Sequence, residues 1–201
     1  MIFEREHFSS DILEKSVVTE ILNESRNFSK STFDTDSASV FLSHKHYDEK
    51  DKEWKDLRGV IKMLKDLGAT PYIDSMDNTM PGETSAETTL RIKQEIKSCD
   101  KFIFFATKEA IQSYWCNWEL GISDSTKKPG EIALLPLKDK GTADENFIGN
   151  EYMRIYHTIE FRDGTTKYSS GNPIKRGYYV CTPRQKNKNR TITSLKDWLN
   201  S

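Results

Sequence analysis

Phe102-Ile103-Phe104-Phe105-Ala106 is the most apolar run in the chain, and its reading decides the fold. A strand that is apolar at every position has both faces buried, as in a parallel sheet covered by helices on each side. A strand with one wet face would alternate. Working outward, Val40-Phe41-Leu42 and the segment Ile132 to Leu137 have the same continuous character. Residues 51 to 67 read as a helix, with Trp54, Leu57, Ile61 and Leu64 on one face and Gly68 as its stop. A second helix is expected over 86 to 99, and a broken one after Ala106. Thr70-Pro71-Tyr72-Ile73 makes a further strand, placed at a sheet edge because proline cannot donate to a ladder. Strand and helix thus alternate four times with short joints. The expectation is an α/β fold, doubly wound, with a mainly parallel five-stranded sheet in the order 2-1-3-4-5 and helices on both faces.

The 201 residues suit one domain with an appendage. With 30 basic and 31 acidic side chains the formal net charge is -1, which offers no global field for nucleic acid or an anionic membrane. No apolar run reaches the length of a membrane span, and the N-terminus carries charges where a secretory signal would be apolar. Cys99, Cys116 and Cys181 are too few and too scattered for a disulfide framework or a zinc cluster. The chain therefore reads as soluble, reduced and cytoplasmic.

Asp11 and Glu14 form a capping-box pattern ahead of an apolar stripe at Leu13, Val17, Val18, Ile21 and Leu22, so a short amphipathic helix is expected there. Ser29 to Ser39 reads as linker. After Gly141 the pattern weakens. Tyr152-Met153-Arg154-Ile155-Tyr156 and Gly177-Tyr178-Tyr179-Val180 are candidate strands, and Leu195, Trp198 and Leu199 suggest a closing helix. The basic run Arg184 to Arg190 reads as a solvated loop, with phosphate binding as its alternative.

In a doubly wound sheet, ligands bind beyond the carboxyl ends of the strands at the switch point, here between the first and third strands. The rim is Ser43-His44-Lys45-His46 on one side and the segment after Ala106 on the other. That segment leads into Trp115-Cys116-Asn117-Trp118-Glu119, where Trp115 and Glu119 are four residues apart and share a helix face. Burial would raise the carboxyl pKa, and an indole could hold a flat ligand against it. The bland alternative is a core Trp with a Glu reaching solvent. Neither GxGxxG nor a Walker loop occurs. His44 and His46 with Asp48 or Glu49 lack a matching cluster elsewhere, so no metal is expected. Ser43 and His44 are adjacent on a strand end and point apart, and no nucleophile elbow surrounds Ser43. Cys116 reads as a small core residue rather than a nucleophile.

Val40-Phe41-Leu42-Ser43-His44, the loop Asp74 to Glu83, and Ser113-Tyr114-Trp115-Cys116-Asn117-Trp118-Glu119-Leu120 together resemble a Toll/interleukin-1 receptor (TIR) domain. More narrowly they are similar to the stand-alone bacterial TIR proteins of anti-phage defence, including the Thoeris type, as is Asn150-Glu151-Tyr152-Met153-Arg154-Ile155-Tyr156. The resemblance covers about residues 38 to 160. It leaves 1–37 as an N-terminal helical appendage and linker, and 161–201 as a C-terminal extension packing on the domain.

The resemblance implies a flavodoxin-like fold and, as in the family's enzymatic bacterial members, cleavage of NAD+ at the nicotinamide–ribose bond. Glu119 matches the family's catalytic glutamate and Trp115 the aromatic residue beside it. Ser43, His44 and Lys45 match the first-strand loop that borders the nucleotide. Asp74 opens the loop, 74–83, that in the family reaches a neighbouring copy and completes the site. NAD+ is then the substrate, no further cofactor is needed, and a downstream effector would sense the product. Many family members are non-catalytic scaffolds for homotypic assembly, so that reading stands beside the enzymatic one. A receiver domain shares the architecture, but it needs acidic residues after the first strand, where Ser43-His44 stands.

Overall fold

A computed structural model describes residues 2–8, 37–47, 51–77, 85–142, 151–183 and 189–201. In chain order the strands are β1 (Phe3–Glu4), β2 (Ser39–Ser43), β3 (Thr70–Tyr72), β4 (Lys101–Ala106), β5 (Ile132–Lys138), β6 (His157–Arg162), β7 (Gly177–Cys181) and β8 (Ile192–Ser194). The helices are α1 (Lys52–Asp66), α2 (Ala86–Ser98), α3 (Lys108–Gln112), α4 (Tyr114–Thr126) and α5 (Leu195–Leu199).

The sheet runs β3-β2-β4-β5-β6-β7-β8. Its first five members are parallel neighbours, with Phe41 opposite Tyr72 and Phe102, and Phe104 opposite Leu134. Counted from β2, this is the expected order 2-1-3-4-5, with the proline-bearing β3 at the edge. Successive side chains feed opposite faces. Val40, Leu42, Ile103, Phe105 and Leu135 pack with α1 and α5 on one side. Phe41, Phe102, Phe104 and Leu134 pack with α2 and α4 on the other.

Among the described residues the sheet has eight strands, not the expected five. β7 and β8 extend the sheet antiparallel to β6 and to each other, and β1 pairs in parallel with the end of β5, Phe3 opposite Leu137. Tyr152 to Tyr156 is not a strand but a 3-10 turn, Glu151–Ile155, that buries Met153 and Tyr156 and leaves Tyr152 and Ile155 exposed. Its burial spacing is three, not two. The fifth parallel strand is β6, which the sequence reading passed over. Thr158, Glu160 and Arg162 give it a polar face, and that face is sealed by ion pairs of Glu160 with Arg190 and Arg162, at 2.7 and 2.9 Å. The amphipathic helix expected around Leu13 to Leu22 lies outside the described residues, as do residues 184–188 of the basic run.

The N-terminal segment is fastened to the carboxyl edge of the sheet. Arg5 reaches Glu53 of α1, Glu109 of α3 and Asp139 beyond β5. Glu6 adopts a left-handed φ of 70°, which is strained for a residue with a side chain. The buried Asp56 carboxylate holds it there by accepting the Glu6 N–H at 3.0 Å. Phe3 and Phe8 are buried beside α1, and a Cβ on Gly59 would meet Phe8 Cβ at 2.3 Å and Phe8 O at 2.5 Å. Glycine at 59 is therefore a contact requirement, whereas a Cβ on Gly121 meets nothing. Alanine should act oppositely at the two positions in chemical denaturation. Gly121→Ala gains roughly 0.5–1 kcal/mol of helix propensity. Gly59→Ala loses about 1–3 kcal/mol by overpacking despite the same gain. Equal effects would refute the close approach.

Candidate active site

β2 ends at Ser43, buried, and the strand delivers its hydroxyl to the carboxyl edge. α4 brings the partner. Thr107 caps α3 by accepting from Ala110 N, and Ser113 caps α4 by accepting from Cys116 N. Asn117 locks the joint between them, donating from Nδ2 to the carbonyls of Ile111 and Ser113 at 2.8 and 2.7 Å. This break turns the first turns of α4 so that Glu119 meets β2. Ser43 Oγ donates to Glu119 Oε2 at 2.5 Å. Glu119 is 1% exposed, and its Oε1 has no hydrogen-bond partner among the described residues.

His44 turns from the strand end towards the 3-10 turn Asp74–Met76. Its Nε2 lies 2.9 Å from Ser75 Oγ, its Nδ1 3.2 Å from Leu42 O, and its Nδ1 3.9 Å from Asp74 Oδ1. Burial lowers the His44 pKa, outweighing Asp74. The ring is therefore neutral: Nδ1–H donates to Leu42, and Nε2 accepts from Ser75. Burial also lifts the Glu119 carboxyl well above its usual 4.5, and the Asp74 carboxylate lifts it further. The Ser43 hydroxyl and the Trp115 indole pull it back. An unpartnered, desolvated oxygen beside a second carboxylate is what makes the proton hard to lose.

The structure brings Ser43, His44, Asp74 and Glu119 into one cluster, with Trp115 half-exposed on α4 against Trp118, ring centroids 5.0 Å apart. Trp118, half-buried, packs against the core on this face of the sheet, with the Lys93 ammonium of α2 5.8 Å from its ring. Lys45 is exposed at the rim, close enough for its charge to act on the Cys116 thiol. Burial pushes that thiol up to about 12, so it is a core group and no thiolate. His46 is exposed at the rim, where its charge opposes protonation of His44. No group of metal-ligating side chains occurs among the described residues, and no described helix is long and apolar enough to cross a membrane.

Sequence reasoning missed Ser75, which fixes the His44 ring, and Tyr47, whose hydroxyl meets Thr107 Oγ1 at 2.6 Å. It also missed Asp77, buried and held by Tyr72 OH at 3.0 Å and Arg91 at 3.4 Å. The polar turn after β3 contained Ser75 and Asp77, but nothing in its composition distinguished inward from outward side chains. Of the 74–83 loop, residues 78–83 lie outside the described residues.

A doubly wound sheet with this strand order, carrying a buried Ser–Glu contact at its switch point, defines a class that the sequence comparison names. The TIR domain signature matches residues 40–172, and the chain belongs to the TIR-domain family. Over 152 residues it is also 26% identical to the "Probable 3' cyclic ADP-D-ribose synthase ThsB'" of Bacillus cereus (strain MSX-D12), spanning 75% of this chain and 71% of that protein.

A carboxyl whose pKa is raised on folding contributes fully below its unfolded value, near 4.5, and that contribution is lost as pH rises through the folded value. Glu119→Gln keeps the shape without the ionisation. Its melting temperature relative to wild type should therefore rise as the pH is raised above about 4.5, at about 2–4 °C for each kcal/mol in a domain of this size. A pH-independent difference would remove the raised pKa.

Proposed function

We propose that the chain cleaves the nicotinamide–ribose bond of NAD+ and releases an ADP-ribose-derived nucleotide, with Glu119 as the catalytic carboxyl. The observation that carries the reading is the Glu119 carboxyl itself: buried, held by Ser43 on one oxygen and unpartnered on the other. Membership of the TIR family and the likeness to a cyclic ADP-ribose synthase support it.

The chemistry asks for one negative charge and a dry wall. The nicotinamide ring of NAD+ is cationic, so the C–N bond breaks with its electron pair going to nitrogen and the base leaves neutral, without a general acid. Positive charge moves to the ribose, as in glycoside hydrolysis. A cation beside Glu119 reverses the balance that raises its pKa, so substrate binding itself drives off the proton and creates the carboxylate where charge develops. Oε1, without a hydrogen-bond partner among the described residues, is the oxygen that takes a ribose hydroxyl. Trp115, the half-exposed member of the cluster, stacks on the nicotinamide and keeps out water. Ser43 orients the carboxyl, His44 and Asp74 shape the ribose side, and Lys45 at the rim faces the diphosphate.

The acceptor sets the product. Water gives ADP-ribose and a proton, whereas a nucleophile within the same nucleotide closes a ring. The name of the Bacillus relative makes a cyclic product the first to look for. Self-association through residues 74–83 and a separate effector that senses the product complete the proposal, within anti-phage defence of the Thoeris type.

Wild type should release nicotinamide from NAD+ at high protein concentration. Glu119→Gln should lose at least about a hundredfold in rate, and Ser43→Ala about tenfold or more. Mass spectrometry of the products separates ADP-ribose from a cyclic isomer. If neither wild type nor variant releases nicotinamide even when tethered into assemblies, the chain is a non-catalytic TIR scaffold.

A further inference from the structure

β2 and β4 are neighbours in the sheet, Ser43 opposite Phe104, but the chain leaves them for opposite faces. After β2 it runs to α1, whose Leu57, Ile61 and Leu64 join one core. After β4 it runs to α3 and α4, whose Ala110, Cys116 and Leu120 join the other. The two connections therefore diverge at the carboxyl edge, where a doubly wound sheet opens its crevice. The first carries His44 and Lys45, and the second leads to Trp115 and Glu119. A ligand seated between them meets both, so its fit depends on how far apart they stand.

A pair of buried hydroxyls ties the two connections together. Tyr47, on the first, and Thr107, at the start of the second, are both buried. Their oxygens are 2.6 Å apart across 60 residues of sequence. The Thr107 oxygen also caps α3, accepting from Ala110 N at 3.1 Å, so the helix start is fixed to the same point. On the other side the Tyr47 ring centroid lies 6.4 Å from that of His44. Burial raises the Tyr47 phenol well above its usual 10, so the group stays a neutral hydroxyl and exchanges no proton with a substrate. What it contributes is geometry. A buried hydroxyl stripped of its partner is costly, so the loop regains solvent for it only by moving.

We propose that Tyr47, acting through Thr107, is a positioning residue that sets the width of the crevice and with it the affinity for the nucleotide. The proposal rests on the NAD+ reading above. His44 and Lys45 share the short connection with Tyr47, whereas Ser43 belongs to β2 and keeps its bond to Glu119. Loss of the tie therefore weakens binding and leaves bond cleavage nearly intact.

The test is steady-state nicotinamide release from NAD+ by wild type, Tyr47→Phe, Thr107→Val, the double variant and Thr107→Ser, each with a melting curve. KM for NAD+ should rise at least about fivefold in Tyr47→Phe and in Thr107→Val, with kcat within about twofold of wild type. The double variant should be no worse than either single one, and Thr107→Ser, which keeps the oxygen, should stay near wild type. Partial unfolding would instead lower kcat at unchanged KM. The two variants cut one bond from opposite ends, so either one that folds decides. With wild type active and Glu119→Gln inactive, an unchanged KM in Tyr47→Phe, a fall in kcat alone, or additive losses in the double variant would overturn this proposal and spare the NAD+ reading. No release by wild type would overturn both.

Discussion

Every residue of β2, β4 and β5 is buried, so the ladder joining them runs where no side chain can reach water. Such strands are stable only if helices cover both faces. Covering both faces with right-handed crossovers leaves the carboxyl edge as the one open margin of the sheet. The position of the candidate site follows from this constraint. Ser43 and His44 are where β2 reaches that margin. Glu119 arrives there because α3 and α4 must turn back from β4 to cover Phe104 and Leu134.

Burial of the Glu119 carboxyl is a cost that folding must offset. The fold offers the Ser43 hydroxyl and the nearby Trp115 indole, and leaves Oε1 without a good hydrogen bond among the described residues, beside a second carboxylate. Optimising stability alone would favour a glutamine or an apolar residue here. The arrangement makes sense as strain held in reserve for a cation. A positive ligand turns the unfavourable Asp74–Glu119 proximity into paired attraction, while an uncharged ligand gains nothing from it. In the proposed function, the electrostatics that weaken the resting protein select a cationic substrate.

Legibility from sequence divided along the same physical line. Continuous apolar runs announce two-sided burial, so β2, β4, β5, their order and the edge position of β3 could be read directly. The Trp115/Glu119 spacing placed both residues on one helical face, and Ser43 on the opposing strand end followed from topology. β6 was hidden because its polar face is neutralised by residues distant in sequence: Glu160 waits for Arg190, thirty positions on. Ser75 was hidden for a related reason. A polar turn holds several hydroxyls and carboxylates, and only the packed His44 ring selects which one turns inward.

The N-terminal strand shows how a short segment can bind the whole margin together. β1 contributes only two ladder residues, too few to stand alone. Its hold comes from side chains: Arg5 bridges α1, α3 and the end of β5, Asp56 captures the Glu6 N–H, and Gly59 lets the Phe8 backbone close on α1. These contacts fix the starts of α1 and α3 against each other, next to Tyr47 and Thr107, whose mutual hydrogen bond backs the His44 ring. Displacement of β1 would therefore loosen the wall behind His44. One segment of seven described residues mechanically joins the two ends of the carboxyl edge.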